Sequence, residues 1–160
     1  MNNKIKNMLK KIYNYNINQN KIIRLQRKSK KMSKLFSRID RIYENKIYKK
    51  YHCCISTNAD LGENLILPHP LGIVIGSGVK LGKNVTIYQN VTIGQKNWLY
   101  PKIGNNVTIY AGAVIIGDIN IGNNVIIGAN AVVTKDIPDN SICAGVPAKI
   151  IKSNPVKNNE

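Results

Sequence analysis

From Leu61 onward the chain repeats a six-residue rhythm: an aliphatic residue, often a glycine next, two polar residues, a small or β-branched residue, then one more. It reads "LGENLI", then "IGSGVK", "LGKNVT" and "IYQNVT", and after a break "IGNNVT", "IYAGAV", "IIGDIN", "IGNNVI" and "IGANAV". Three hexads make 18 residues, and both Ile103 to Ile121 and Ile109 to Ile127 are 18 apart. The echo "NVTIY" returns after 22 residues, at Asn84 and Asn106. The four extra residues are assigned to "IGQKNWLYPK", read as a loop that leaves the repeat. Hexapeptide periodicity predicts a parallel β-helix. Each hexad supplies one short strand and one turn, and three close a triangular coil. The aliphatic position points inward and stacks on its copies above and below. Glycine beside it is expected to give the turn its backbone freedom, and asparagine at turn positions to accept left-handed conformations. Period-2 alternation with irregular turns, or a helical pattern, does not fit residues 61–133.

The first third is patterned differently. From Asn20 to about Tyr48, apolar residues recur at Ile22, Leu25, Met32, Phe36, Ile39 and Tyr43, which suits one face of an amphipathic helix. A shorter helix is expected around Ile5 to Tyr13. No proline precedes Pro68, and neither helix would be stable without packing on something else. The expected organisation is a basic helical segment at 1–52, the β-helix at 53–151 and a flexible tail at 152–160.

Charge divides the same way. Residues 1–50 hold 16 Lys and Arg against two acids, Asp40 and Glu44, while residues 51–160 hold eight against six. Such a segment could meet nucleic acid or an anionic membrane surface. Its dominance by Asn, Lys, Ile and Tyr is also what an AT-rich genome produces. With no aromatic interleaving or binding motif, nucleic acid is not an expected partner. The three cysteines, Cys53, Cys54 and Cys143, form neither a disulfide framework nor a CxxC zinc pair, and read as reduced structural thiols. No run of 18 apolar residues and no secretory pattern is seen, so a cytoplasmic protein is expected.

One histidine interrupts the repeat. In "LILPHPLGIVIGSGVKLG", Leu65 to Gly82, His69 stands between two prolines; the other histidine is His52. An imidazole has its ordinary titration near neutrality and suits general base chemistry. Three segments, "LPHPLGIVIGSGVKLGKNVTIYQNVTIGQ", "PKIGNNVTIYAGAVIIG" and "IGANAVVTKDIPDNSICAGVPAKIIK", resemble the left-handed β-helical hexapeptide acyltransferases. Within them the order of features is similar to serine O-acetyltransferases and to short O-acetyltransferases of polysaccharide gene clusters. The resemblance covers about Ile55 to Ile151. It implies a mainly β fold, a left-handed parallel β-helix with a short helical N-terminal segment. It also implies His69 as the general base that activates an acceptor hydroxyl against acetyl-CoA, with oxyanion donors that are commonly backbone N–H groups.

Two departures from the serine acetyltransferase pattern shape the acceptor expectation. That pattern has an aspartate fifteen residues before its histidine, where Cys54 stands here. It has a second histidine before "Pro-Lys-Ile", where Tyr100 stands. A tyrosine could bond a hydroxyl or stack on a sugar ring. A sugar of a surface polysaccharide or its precursor is therefore put first, with L-serine as the alternative. Tyr100 and Trp98, in the loop, are the acceptor-side candidates. For the co-substrate, acetyl-CoA, the resemblance points to Ala111, Gly112, Ala113, Gly128 and Ala129 along the pantetheine path, and to Lys149 and Lys152 near the adenine and phosphates. It also implies a homotrimer with its sites between subunits. No metal is expected. The basic helix could bring the enzyme to lipid-linked substrates on an inner membrane face. A non-enzymatic β-helical scaffold, or a carbonic-anhydrase-type metal protein, is the rival class; the latter uses three histidines and this chain has two.

Overall fold

The coil strands alternate inward and outward residues, and that alternation builds the molecule. The structure, a computed structural model, describes residues 21–31 and 39–154. Two helices, α1 (residues 21–31) and α2 (Ile39–Tyr51), precede thirteen short strands. The strands fall on three faces. Face I stacks β1 (Cys54–Ile55), β2 (Val74–Ile75), β5 (Thr92–Gly94), β8 (Val114–Ile116) and β11 (Val132–Val133). Face II stacks β3 (Lys80–Leu81), β6 (Lys102–Ile103) and β9 (Asn120–Ile121). Face III stacks β4 (Thr86–Ile87), β7 (Thr108–Ile109), β10 (Ile126–Ile127) and β12 (Ser141–Ala144), with β13 (Lys149–Ser153) antiparallel on its edge.

All pairings except β12 with β13 are parallel. On face I the register runs Cys54, Val74, Thr92, Val114, Val132, so successive coils are 20, 18, 22 and 18 residues long. The 22-residue coil contains the excursion at residues 95–99, as the "NVTIY" echo requires. The aliphatic positions stack as expected: Ile75, Ile93, Ile115 and Val133 are each at most 1% exposed. Such burial contributes about 2 kcal/mol per side chain.

The asparagines take the turn positions as expected, while the glycines beside the aliphatic positions do not. Left-handed backbone falls mainly to asparagine: Asn64, Asn84, Asn106, Asn124 and Asn140 all have φ of 54–56°. Their side chains form one ladder, each Nδ2 donating to the Oδ1 of the next at 2.9–3.0 Å. The glycines beside the aliphatic positions serve closeness instead. A Cβ on Gly82 would stand 2.6 Å from the Gly104 carbonyl oxygen, and one on Gly104 2.6 Å from that of Gly122. Coils stacked at β-sheet spacing leave no room there.

The helices close the open end of the coil. A first coil has backbone groups with no coil before it to pair with. Gln26 of α1, 1% exposed, donates through Nε2 to the carbonyls of Thr57 and Ala59 at 3.2 and 3.0 Å. Glu44 of α2 accepts from the Thr57 N–H at 2.9 Å and the Ser56 hydroxyl at 3.2 Å. Ile22, Ile23, Ile47 and Tyr51 join the hydrophobic core of the coil itself. The predicted helix is thus present on both sides of residues 32–38 and extends past Tyr48 to Tyr51. Met32, Phe36 and the expected helix at Ile5–Tyr13 lie outside the described residues. At the other end the boundary drawn at 152 moves. Lys152 and Ser153 belong to β13, and Asn154 bonds the Asn124 carbonyl through Nδ2 and the Asn140 carbonyl through its N–H, both at 2.7 Å. The chain there caps unpaired groups of the last coil.

Candidate active site

The corner between faces III and I is enlarged where His69 lies. Ile66 to Val74 spans eight residues, while the equivalent Thr86 to Thr92 spans six. Pro68 and Pro70 flank His69 in the extra length, and each fixes its own φ, while the chain bends at 68–69 and 71–72. The widened turn is tied at its end: the Leu71 N–H donates to the His69 carbonyl at 2.8 Å, and the Asn90 N–H to the Leu71 carbonyl at 2.9 Å. The His69 side chain is exposed. Its ring lies 6.2 Å, centroid to centroid, from that of Tyr88 at 50°. Tyr88 in turn stacks on Tyr110 at 5.1 Å and 20°.

Below Tyr110 the same corner is bare. Its column continues through Gly128 and Ala144, joined by N–H to carbonyl bonds from Tyr110 to Ile127 and from Gly128 to Cys143. A Cβ on Gly128 would stand 2.8 Å from the Ala144 methyl. Beside this column runs another, Gln89, Ala111 and Ala129, stacked through bonds from the Gly112 N–H to Gln89 and from the Asn130 N–H to Ala111. Lys149 pairs with Ala144 and Lys152 with Ile142, both lysines exposed on the edge strand β13. The corner thus offers an imidazole, two phenols, a shallow groove of small residues and two cations, in that order.

Two of the five small residues proposed for the groove have other duties. Ala113 is fully buried and points into the coil, so its methyl packs the core and cannot meet a co-substrate. Gly112 has φ 72°, and a Cβ there would stand 2.1 Å from Asn130 Oδ1. The turn itself demands that glycine. Gly128, Ala111 and Ala129 lie unburied at the corner itself.

Trp98 and Tyr100 sit on a different corner, between faces I and II. The excursion is a hairpin: Lys96 and Leu99 exchange both backbone hydrogen bonds, at 3.0 and 3.1 Å. Asn97 and Trp98 are its two turn residues, both left-handed, at φ 54° and 66°. Trp98 is 83% exposed. Tyr100 lies flat on the coil. Its ring occupies the space beside Gly76 and Gly78, where added Cβ atoms would fall 2.8 and 2.3 Å away, and its hydroxyl lies 3.0 Å from the Ser77 hydroxyl. One side of a coil is about six residues, or about 20 Å. Within one chain, therefore, the His69 corner and the Trp98–Tyr100 corner are opposite ends of face I.

Cys54 is exposed at the start of face I. It lines a cleft of about 410 Å³ between α2 and the first strands, with Glu44, Tyr48, Ser56, Val74 and Gly76. His69 is not among the residues lining that cleft. Cys53 and Cys143 are buried, and burial pushes both thiols up from their usual value. Sequence reasoning missed Tyr88 and Tyr110 as neighbours of the histidine. Their signal was present in the "NVTIY" echo, which places a tyrosine at the same corner in successive coils.

The bacterial transferase hexapeptide (six repeats) family matches residues 100–135. Serine acetyltransferase 1, chloroplastic, of Arabidopsis thaliana is 37% identical over 125 residues, covering 74% of this chain and 40% of that protein. The serine acetyltransferase of Staphylococcus aureus strain Mu50 is 43% identical over 107 residues, 64% of this chain and 50% of that one. Among solved structures, the serine acetyltransferase of Brucella abortus strain S19 in complex with coenzyme A superposes with a TM-score of 0.79. It has 34% identity and covers 83% of this chain and 55% of that one. The chain spans about half, or less, of the length of these relatives.

Proposed function

We infer that this chain, a hexapeptide-repeat protein homologous to serine acetyltransferases over 74% of its length, transfers an acetyl group from acetyl-CoA to the hydroxyl of L-serine. The observation that carries the reading is His69, exposed on an enlarged corner at the head of a groove of small residues that ends in two lysines. His69 takes the proton of the acceptor hydroxyl as that oxygen attacks the thioester carbon, and returns it to the departing sulfur. Gly128, Ala111 and Ala129 let the pantetheine arm approach the backbone, and Lys149 and Lys152 meet the phosphates. The co-substrate supplies the activated acyl group; the chain supplies position and a base.

L-Serine displaces the sugar hydroxyl that the sequence put first. That preference leaned on Tyr100 as a platform for a sugar ring. The ring face is occupied by Gly76 and Gly78 and the hydroxyl by Ser77. Relatives that are serine acetyltransferases point the same way. The working unit in this reading is a homotrimer in which the Trp98–Tyr100 corner of one subunit meets the His69 corner of the next. It is cytoplasmic, with the basic N-terminal third drawn to anionic membrane surfaces; unchanged liposome sedimentation after deletion of residues 1–50 would remove that last element.

The deciding experiment is free-thiol release from acetyl-CoA by wild type and His69→Ala, with L-serine, aminosugars and hexoses as acceptors. Release with L-serine that is lost in the variant is expected. Release with a sugar and none with serine would restore the polysaccharide reading.

A further inference from the structure

Glu44 is an acid in a strongly basic segment, yet it pairs with none of the cations around it. Residues 1–50 hold 16 Lys and Arg, and the ion pairs of the described residues are Lys30 with Asp60 and Lys83 with Glu63. The Glu44 carboxylate is held through one oxygen instead. Its Oε1 accepts from the Thr57 N–H at 2.9 Å, the Ser56 hydroxyl at 3.2 Å and the Thr57 hydroxyl at 3.3 Å. Among the described residues Oε2 has no hydrogen-bond partner. The side chain is half-buried and lines the cleft of about 410 Å³ between α2 and the first strands. No lysine or arginine is among the described residues that line it. With a thiol at position 54, Glu44 is their single charged group. A half-buried carboxylate with an unengaged oxygen and no cation beside it is half of a pair.

We propose that this cleft binds the protonated amino group of the acceptor, with Glu44 as its counter-ion. The inference rests on the transfer to L-serine described above. An ammonium has three N–H donors and no acceptor. The cleft offers oxygens to them from Glu44, from the Asn45 side chain and from the Tyr48 hydroxyl. The three donors on Oε1 fix the Glu44 carboxylate before a ligand arrives, so little side-chain freedom is lost on binding. A charge-assisted bond to it is stronger than a neutral one. The cleft also stands where such an acceptor is needed. Its Gly76 lies beside the ring of Tyr100. It therefore adjoins the Trp98–Tyr100 corner, which in the trimeric reading meets the His69 corner of the next subunit. One subunit then anchors the amine, and the hydroxyl is presented to the base of the other. The consequence is selectivity. A hydroxy acid of the same length without the amine lacks the group that Glu44 holds.

Glu44→Gln separates this role from the capping of the first coil. Its amide oxygen still accepts from Thr57, while its NH2 in place of Oε2 offers nothing to an ammonium. KM for L-serine should rise about tenfold or more, and KM for acetyl-CoA should stay within about twofold of wild type. A second readout needs no activity. Cys54 is exposed in the same cleft, while Cys53 and Cys143 are buried, so maleimide labelling of Cys54 reports whether the cleft is filled. L-Serine and ethanolamine should slow that labelling in wild type, and 3-hydroxypropanoate, which has no amine, should not. In Glu44→Gln neither amine should protect. An unchanged KM for L-serine in the variant would overturn the proposal. So would protection that survives in the variant, or its absence from wild type. Equal rises in both KM values with a lowered Tm would also overturn it, leaving Glu44 as a cap of the coil alone. Should wild type release no thiol with L-serine, the acceptor reading fails, while protection of Cys54 by the amines still decides whether Glu44 holds one.

Discussion

The two ends of face I show two ways for a repeat to accept extra residues. At the His69 corner, two additional residues are absorbed by a proline-flanked turn that stays against the coil, with the imidazole leaning on a tyrosine of the next coil. At the opposite corner, four additional residues leave the coil as a hairpin with its own hydrogen bonds and an indole projecting into solvent. The first insertion changes what the coil presents and leaves the stacking intact. The second leaves the coil to Tyr100, whose ring covers the gap between Gly76 and Gly78. The exposed imidazole and the ring that closes the coil thereby fall on different corners, and substitutions at each should separate them.

The largest expected effect is at the first corner. His69→Ala should lower kcat about 10³-fold, with little change in thermal stability, because the side chain is exposed. An equal loss of stability would mean that the histidine holds the turn. At the second corner the signs reverse. Tyr100→Ala should cost about 2 kcal/mol of stability by opening the space beside two glycines, measured by denaturant unfolding. Between these lies a control on the third corner. Asn106→Ala removes hydrogen bonds to Asn84 and Asn124 and puts alanine at φ 55°, for about 2 kcal/mol and no change in KM.

A smaller effect has the opposite sign. Trp98 occupies a left-handed position that glycine takes without strain. Trp98→Gly should therefore raise stability by about 1 kcal/mol, seen as a higher Tm. If activity falls as stability rises, the indole serves a contact outside its own chain. The smallest effect concerns the three thiols. Native protein should lose one thiol, Cys54, to a maleimide, while Cys53 and Cys143 react after unfolding. Burial raises both buried thiols from the usual 9.0. The folded state thus holds those protons more tightly than the unfolded chain. Their contribution is complete below about pH 9 and declines as pH rises beyond it. A Tm that falls as pH rises above about 9, with the fall diminished in Cys143→Ala, would confirm the sign.

Much of this was legible in the chain. Period six is written by the inward aliphatic residues, because each must fill the same place in every coil. The 22-residue spacing of "NVTIY" located the hairpin for the same reason. His69 was marked by its flanking prolines, which belong to no hexad. What misled was the reading of residue types without their direction. Ala113 looked like a cofactor contact because it is small, yet it faces the core. Tyr100 looked like a substrate platform because it is aromatic, yet its ring closes a corner. The glycines beside the aliphatic positions, such as Gly82 and Gly104, looked like turn residues, whereas they allow coils to touch. The handedness of the coil likewise came with the resemblance and not with the spacing.

The sequence by itself determined the period, the 18- and 22-residue spacings, the place of the loop that leaves the repeat and the histidine that interrupts it. These are set locally, by which positions must be apolar and which turns admit extra chain. Tertiary structure decided everything that depends on residues from successive coils standing side by side. The phenol beside the imidazole, the small residues below Tyr110, the ring over Gly76 and Gly78, and the helices that cap the first coil all join positions 12 or more residues apart. Stacking fixes such neighbours through register, and register is a property of the whole coil.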